Sequence, residues 1–223
     1  MTPDLVRAAA DGDLQAVRRL LETGANVDVR GDWDVTPLME AARLGHTEVV
    51  KLLLEHGADP LARDGGDRPS TALLDAIRNR HSGVAREIAR RVRDQEERDW
   101  GLQYAVLVGD APTVEAMLDC GADPGATTQK DNRTAFMEAV AARSYDLLEL
   151  LLRRGADIDQ AGSCTPLMLA ILLKDPSMTA WLIDAGADLG ITDGAGRTAL
   201  ALAEEVGDER LVKLLTARGA KRA

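Results

Sequence analysis

The side chains best suited to nucleophilic, acid–base or metal chemistry in this chain are three histidines, His46, His56 and His81, and two cysteines, Cys120 and Cys164. A zinc site needs such ligands at short, defined spacings or converging with carboxylates. No two of these residues stand at metal-ligand spacing. There is no Gly-x-Ser-x-Gly elbow and no Walker sequence; Gly65-Gly66 and Gly194-Ala195-Gly196 read as turn glycines, not phosphate cradles. Two cysteines in non-equivalent places cannot make a disulfide framework. The 37 Asp and Glu residues recur at matching places along the chain, which reads as solvated faces and helix caps. The expectation is a chain with no catalytic residue, no metal site and no cofactor.

Composition narrows the class further. Hydrophobic residues make up 45% of the 223 positions and charged residues 29%, enough to bury a core, while aromatics are only 3%. Such a core is built from Leu, Val, Ile, Met and Ala, which suits close helix packing. The formal charge is −10, with no basic block to track a phosphate backbone, so nucleic acid is excluded as the expected partner. The first residues lack a basic stretch followed by an apolar one, and the apolar runs are far shorter than a membrane span. A cytoplasmic, reduced protein that meets no membrane is expected.

What must position every side chain is an internal repeat. Marking equivalent positions at Pro3, Thr36, Thr71, Trp100, Thr134, Thr165 and Thr198 gives spacings of 33, 35, 29, 34, 31 and 33 residues. Five residues after the mark stand Ala8, Ala41, Ala76, Ala105, Ala139, Ala170 and Ala203. Seventeen after it stand Leu20, Leu53, Ile88, Met117, Leu151, Leu182 and Leu215. Twenty-one after it come Gly24, Gly57, Gly121, Gly155, Gly186 and Gly219, with Val92 the one departure. The Thr is an N-cap opening a first helix, the small Ala lets neighbouring helices approach, and the Gly closes a second helix. A unit of this kind cannot bury its apolar face alone, so units must stack. Gln15, Arg18 and Arg19 in the first unit, and Glu204, Glu205, Asp208, Glu209 and Arg210 in the last, read as polar caps.

Thr36-Pro37-Leu38-Met39-Glu40-Ala41-Ala42 with Gly45-His46, then Val49 to Leu54 and Gly57-Ala58-Asp59, resembles the ankyrin repeat almost residue for residue, and the resemblance runs from about Pro3 to Gly219. It implies an all-α ankyrin-repeat solenoid of helix–turn–helix units joined by hairpin-like loops. It also implies a protein that binds other proteins through hairpin tips and the exposed side of the first helices, and one that is seldom an enzyme. On this reading residues 1–223 form a single domain with repeats at about 1–31, 32–66, 67–99, 100–129, 130–160, 161–193 and 194–223. His46 stands at the family's Gly-His position, a structural place.

One stretch departs from the pattern. The third unit lacks its closing Gly-Ala-Asp, and residues 86–99 are dense in charge without Gly or Pro. The expectation is an irregular joint near residues 90–102: a second helix that runs on, a hairpin shortened or absent, no N-cap at Trp100, and Trp100 filling the gap. The reading leaves open whether this is drift or a docking feature.

The residues seven and eight after each mark end the first helices: Arg43-Leu44, Arg78-Asn79, Leu107-Val108, Ala141-Ala142, Leu172-Leu173 and Glu205-Val206. Their apolar members form either an exposed patch or packing under the next hairpin. Expected hairpin tips are Asp32-Trp33, Asp67-Arg68, Glu96-Glu97 and Lys130-Asp131, with Trp33 the sharpest single candidate, since exposed Trp marks interfaces. Trp181 is expected in the core, and Tyr104 in either setting. Trp33, Arg43, Leu44, Arg68, Arg78, Leu107, Val108, Leu172 and Leu173 are therefore the candidate partner-binding residues of a monomeric protein-interaction module, one version being an inhibitor or immunity-type protein that occludes a basic toxin or enzyme. The competing readings are a small-ligand-binding or substrate-processing cytoplasmic protein and a self-associating scaffold.

Overall fold

The computed structural model describes residues 3–67, 69–127, 132–162 and 164–221. Among the described residues the chain is all-α, with fourteen helices and no strand. They come in pairs joined by two or three residues. The first four pairs are α1 (Asp4–Ala10) with α2 (Leu14–Glu22), α3 (Pro37–Leu44) with α4 (Thr47–Glu55), α5 (Ala72–Arg78) with α6 (Ser82–Ala89), and α7 (Gln95–Val108) with α8 (Ala111–Asp119). The last three are α9 (Ala135–Ala141) with α10 (Tyr145–Arg153), α11 (Pro166–Leu172) with α12 (Pro176–Asp184), and α13 (Ala199–Val206) with α14 (Glu209–Ala217). The pairs group into two compact units, Met1–Asp123 and Pro124–Ala223. None of the described helices is long and apolar enough to cross a membrane.

Local chemistry starts the first helices where the repeat predicts. Thr36, Thr71, Thr134, Thr165 and Thr198 each precede a helix, and each hydroxyl accepts from the backbone N–H three residues on, at 3.2–3.4 Å. A cap of this kind stabilises a helix by about 1 kcal/mol. The turn within each pair passes through one left-handed residue: Gly12, Gly45, Arg80, Gly109, Arg143, Lys174 and Gly207 all have φ between 52° and 81°. At three of the seven a long basic side chain occupies a conformation that glycine adopts without strain.

Packing follows the same register. In the first unit α1, α3, α5 and α7 line up neighbour to neighbour, and α2, α4, α6 and α8 do likewise. In the second unit α9, α11 and α13 form the row of first helices, and α12 packs on α14. Ala41, Ala76, Ala105, Ala139, Ala170 and Ala203 are wholly buried, as are Leu53, Ile88, Met117, Leu151, Leu182 and Leu215. The terminal position Leu20 is half-buried, and α2 buries Val17 alone, which fits a capping pair with one face in water.

The loops between pairs are held by carboxylates that reach from one repeat to the next. Asp28 accepts from the backbone N–H of Asp59 at 3.0 Å in the first unit, and Asp159 accepts from Asp188 at 2.9 Å in the second. Single antiparallel bridges, Thr127 with Thr134 and Thr192 with Thr198, complete two loops of the second unit.

The irregular joint is present, but its form differs from the expectation. Helix α6 does not run on: it stops at Ala89. The helix that lengthens is α7, whose 14 residues begin before Trp100 because Asp94 supplies the missing cap, accepting from Glu97 N–H at 3.1 Å. Glu96 and Glu97 consequently lie in a helical turn and not at a hairpin tip. That turn replaces the hairpin's contacts. Glu97 accepts from the Thr71 hydroxyl at 3.1 Å and from Arg63 at 3.4 Å, Gln95 donates to the Gly121 carbonyl at 3.0 Å, and Asp99 accepts from Asp123 N–H at 2.7 Å. The gap at the joint is filled by close approach, not by Trp100. A Cβ on Gly101 would meet Leu73 and Met117 at 3.2 Å, so the glycine seats α7 against α5, while Trp100 is 45% exposed. Val92, standing where the other repeats have glycine, is buried.

Candidate protein-binding surface

The three histidines and Cys120 each make contacts within or between repeats. His46 Nε2 donates to the Ala10 carbonyl at 2.9 Å, tying one repeat's turn to the preceding first helix. His81 repeats the placement one unit on, its ring lying 2.7 Å from where a Cβ on Gly45 would be. His56 Nδ1 donates to the Leu52 carbonyl at the end of α4, 2.9 Å. Cys120 is half-buried with its thiol directed at the Arg86 carbonyl, and burial pushes its pKa up, the opposite of what activates a thiol. Among the described residues no group of three or more His, Cys, Asp and Glu could hold a metal ion.

The candidate residues lie mostly at helix ends. In the first unit Leu44 ends α3, Arg78 ends α5, and Leu107 and Val108 end α7. Leu44 and Leu107 are exposed, Leu107 at 56%, so they do not tuck under a hairpin. Val108 is half-buried, its carbonyl accepting from Arg80 at 2.9 Å. Arg43 folds back on Glu40 at 2.5 Å, and Arg78 reaches Asp75 at 3.4 Å and the Tyr104 hydroxyl at 3.1 Å. Asp75 is nearly covered, and burial raises its pKa against the lowering effects of the Ser70 hydroxyl and Arg78. In the second unit Leu172 and Leu173 are both exposed at the end of α11. The neighbouring Arg143 is drawn onto Asp175 at 2.6 Å, and that carboxylate also caps α12.

Trp33 occupies a built position at the loop tip of the first unit. It is 81% exposed, and it and Asp34 both adopt positive φ, 58° and 57°. The tip is clamped from behind: Gly65 N–H donates to the Trp33 carbonyl at 2.7 Å, and Arg30 donates to the carbonyls of Asp34 and Arg63, each at 2.7 Å. Two residues of positive φ, each with its carbonyl held by a hydrogen bond from Gly65 or Arg30, thus present an indole to solvent. Arg68, Lys130 and Asp131, also expected at tips, lie outside the described residues. Trp181 is half-buried, not core, and stacks edge-on against exposed Tyr145 at 5.9 Å. Trp100 was not expected on the surface. The clue available was Asp94 three residues before Glu97, a helix start ahead of the repeat's usual mark.

Helix pairs of this register, with capped first helices and carboxylate-linked loops, define a helical repeat protein. The chain belongs to the ankyrin-repeat family: the family model for ankyrin repeats, written as three copies, matches residues 5–99 and again 102–193. The Caenorhabditis elegans ankyrin repeat and KH domain-containing protein mask-1 is 33% identical over 203 residues, 86% of this chain. The Neurospora crassa ankyrin repeat protein nuc-2 is 34% identical over 136 residues, 57% of this chain. The chain spans only 8% and 12% of those two proteins. The solved ankyrin repeat domain of Bcl-3, described as a member of the IkappaB protein family, superimposes with a TM-score of 0.83 at 27% identity, covering 96% of this chain and 98% of that one. Ankyrin repeats are generally protein–protein interaction modules, and the fold is generally non-catalytic.

Proposed function

We propose that this chain works by binding a partner protein, as a cytoplasmic monomer, through the exposed ends of its first helices and the Trp33 tip. One observation carries the reading: Leu44, Leu107, Leu172 and Leu173, at the ends of the first helices of three repeats, all stand in solvent. Exposed apolar side chains recurring at one structural position, rimmed by charge, mark interfaces. Trp33 adds a rigid aromatic anchor. An inhibitor occluding a basic enzyme would need acidic residues at these helix ends; the exposed charged groups near them include Arg43 and Arg78 in the first unit and Arg143 and Glu205 in the second, so the net charge of −10 does not by itself select a basic partner.

The test is affinity capture from the native cells with the parent and with a Trp33→Ala, Leu107→Arg, Leu172→Arg variant. A partner retained by the parent and lost by the variant supports the reading. The variant should melt within about 6 °C of the parent, because exposed positions change stability by about 0.5 kcal/mol or less each. Retention indifferent to the three substitutions, or a mass in solution above that of the monomer with no partner retained, would sink it in favour of another surface or of self-association.

A further inference from the structure

The lengthened helix α7 carries a feature that no other described first helix has. Trp100, Tyr104 and Leu107 stand at i, i+4 and i+7, which places them on one helical face. The stripe exists because Asp94 moves the helix start forward, so that the position filled elsewhere by a capping threonine becomes a helical residue with its side chain at the surface. Beside it the charges are layered. Arg43 and Arg78 are 49% and 55% exposed, while the carboxylates that answer them, Glu40 and Asp75, are 20% and 12% exposed. Arg80, also exposed, adds a third guanidinium above the end of α7. A ligand approaching the ends of α3 and α5 therefore meets guanidinium groups and apolar side chains before Glu40 and Asp75, while the exposed carboxylate of Glu96 stands at the N-terminal end of the stripe.

We propose that this face of the first unit binds a partner segment of acidic and aliphatic residues: carboxylates for the arginines of α3 and α5, and Leu-, Ile- or Val-type side chains on the Trp100–Tyr104–Leu107 stripe. The choice of occupant rests on charge complementarity, since carboxylates form paired, directional hydrogen bonds with guanidinium groups and a basic segment would be repelled by the outer charge layer. Tyr104 is half-buried and accepts from Arg78 Nε, so the ring and the guanidinium are already positioned, which lowers the ordering cost of binding. The inference rests on the protein-binding reading above and specifies its chemistry in one of the two units.

The experiment selects from a displayed library of random linear peptides on the intact chain, then titrates a chosen synthetic peptide by fluorescence anisotropy. Selected peptides should be net acidic and rich in aliphatic residues, and their affinity should fall as salt rises. Arg78→Glu and Trp100→Ala should each weaken binding about tenfold or more. Arg153→Glu, an exposed charge reversal on α10 of the other unit, should leave it within about twofold. Selection of basic peptides, selection of none, or an acidic peptide indifferent to both Arg78→Glu and Trp100→Ala would each overturn the proposal. If capture from cells still depends on the three-residue variant while no acidic peptide is selected, the protein-binding reading stands and the partner chemistry falls.

Discussion

The Asp99 carboxylate accepts a hydrogen bond from the backbone N–H of Asp123 at 2.7 Å, doing from within a helix what Asp28 does from a loop for Asp59 and Asp159 for Asp188. The repeat has lost a hairpin at this joint but kept the bond that the hairpin exists to make. Asp99 also receives Gln95 Nε2 at 2.7 Å, which orients the carboxylate. Asp99→Ala should leave Asp123 N–H without this partner and lower stability by about 1 kcal/mol, a drop of about 2–4 °C in the melting midpoint for a chain of this size. Asp99→Asn keeps an acceptor and should lose less. Equal midpoints for parent and Asp99→Ala would show that the helix, not the bond, holds the joint.

Gly45 and Gly57 have nearly the same backbone, φ 81° and 85°, but different surroundings. A Cβ at Gly45 would lie 2.7 Å from the His81 ring, whereas none of the neighbouring atoms comes within 4 Å of one at Gly57. Alanine at either place should cost about 1 kcal/mol for the left-handed backbone. Gly45→Ala should cost at least about 1 kcal/mol more than Gly57→Ala through overpacking. His81→Ala in the Gly45→Ala background should recover that difference; chemical denaturation of the four proteins reads it directly.

Asp208 caps α14, and its hydrogen bonds from the Arg210 guanidinium and backbone hold its pKa at about 2, below the ordinary 3.8. A carboxyl depressed by folding contributes stability above its unfolded value, and that contribution disappears as pH falls from about 4 through 2. Asp75 has the opposite sign, since burial raises its pKa; ionising it disfavours the fold as pH rises above the unfolded value. Melting midpoints followed from pH 5 to 2 should fall less steeply for Asp208→Asn than for the parent. An NMR titration placing Asp208 near 3.8 would refute the pairing.

Trp33 sets stability against recognition. A bulky residue at φ 58° is strained, while asparagine tolerates the left-handed region. Trp33→Asn should raise stability by about 0.5–1 kcal/mol and weaken capture of the partner. A gain in stability with unchanged capture would remove Trp33 from the interface. A loss of stability would show that the indole packs on the tip.

The helix pairs, their caps and the buried Ala and Leu positions were legible in the linear sequence because each is local. A threonine hydroxyl caps an N–H three residues away, and an alanine five residues past the cap meets its neighbour at a fixed repeat distance. The family resemblance followed from the same spacing. Three things were not legible. The start of α7 depends on bonds from Glu97 to Thr71 and from Asp99 to Asp123, partners 26 and 24 residues away, so the charge-dense stretch looked like the end of the preceding helix. The left-handed turns at Arg80, Arg143 and Lys174 carry no glycine to announce them; the neighbouring turns of the register impose the conformation. The exposure of Trp100, the half-buried setting of Trp181, and the layering of Arg over carboxylate on α3 and α5 were decided only when helices distant in sequence were set side by side. Short-range hydrogen bonding and side-chain size are written in the order of residues, whereas which side of a tryptophan meets water depends on everything packed around it.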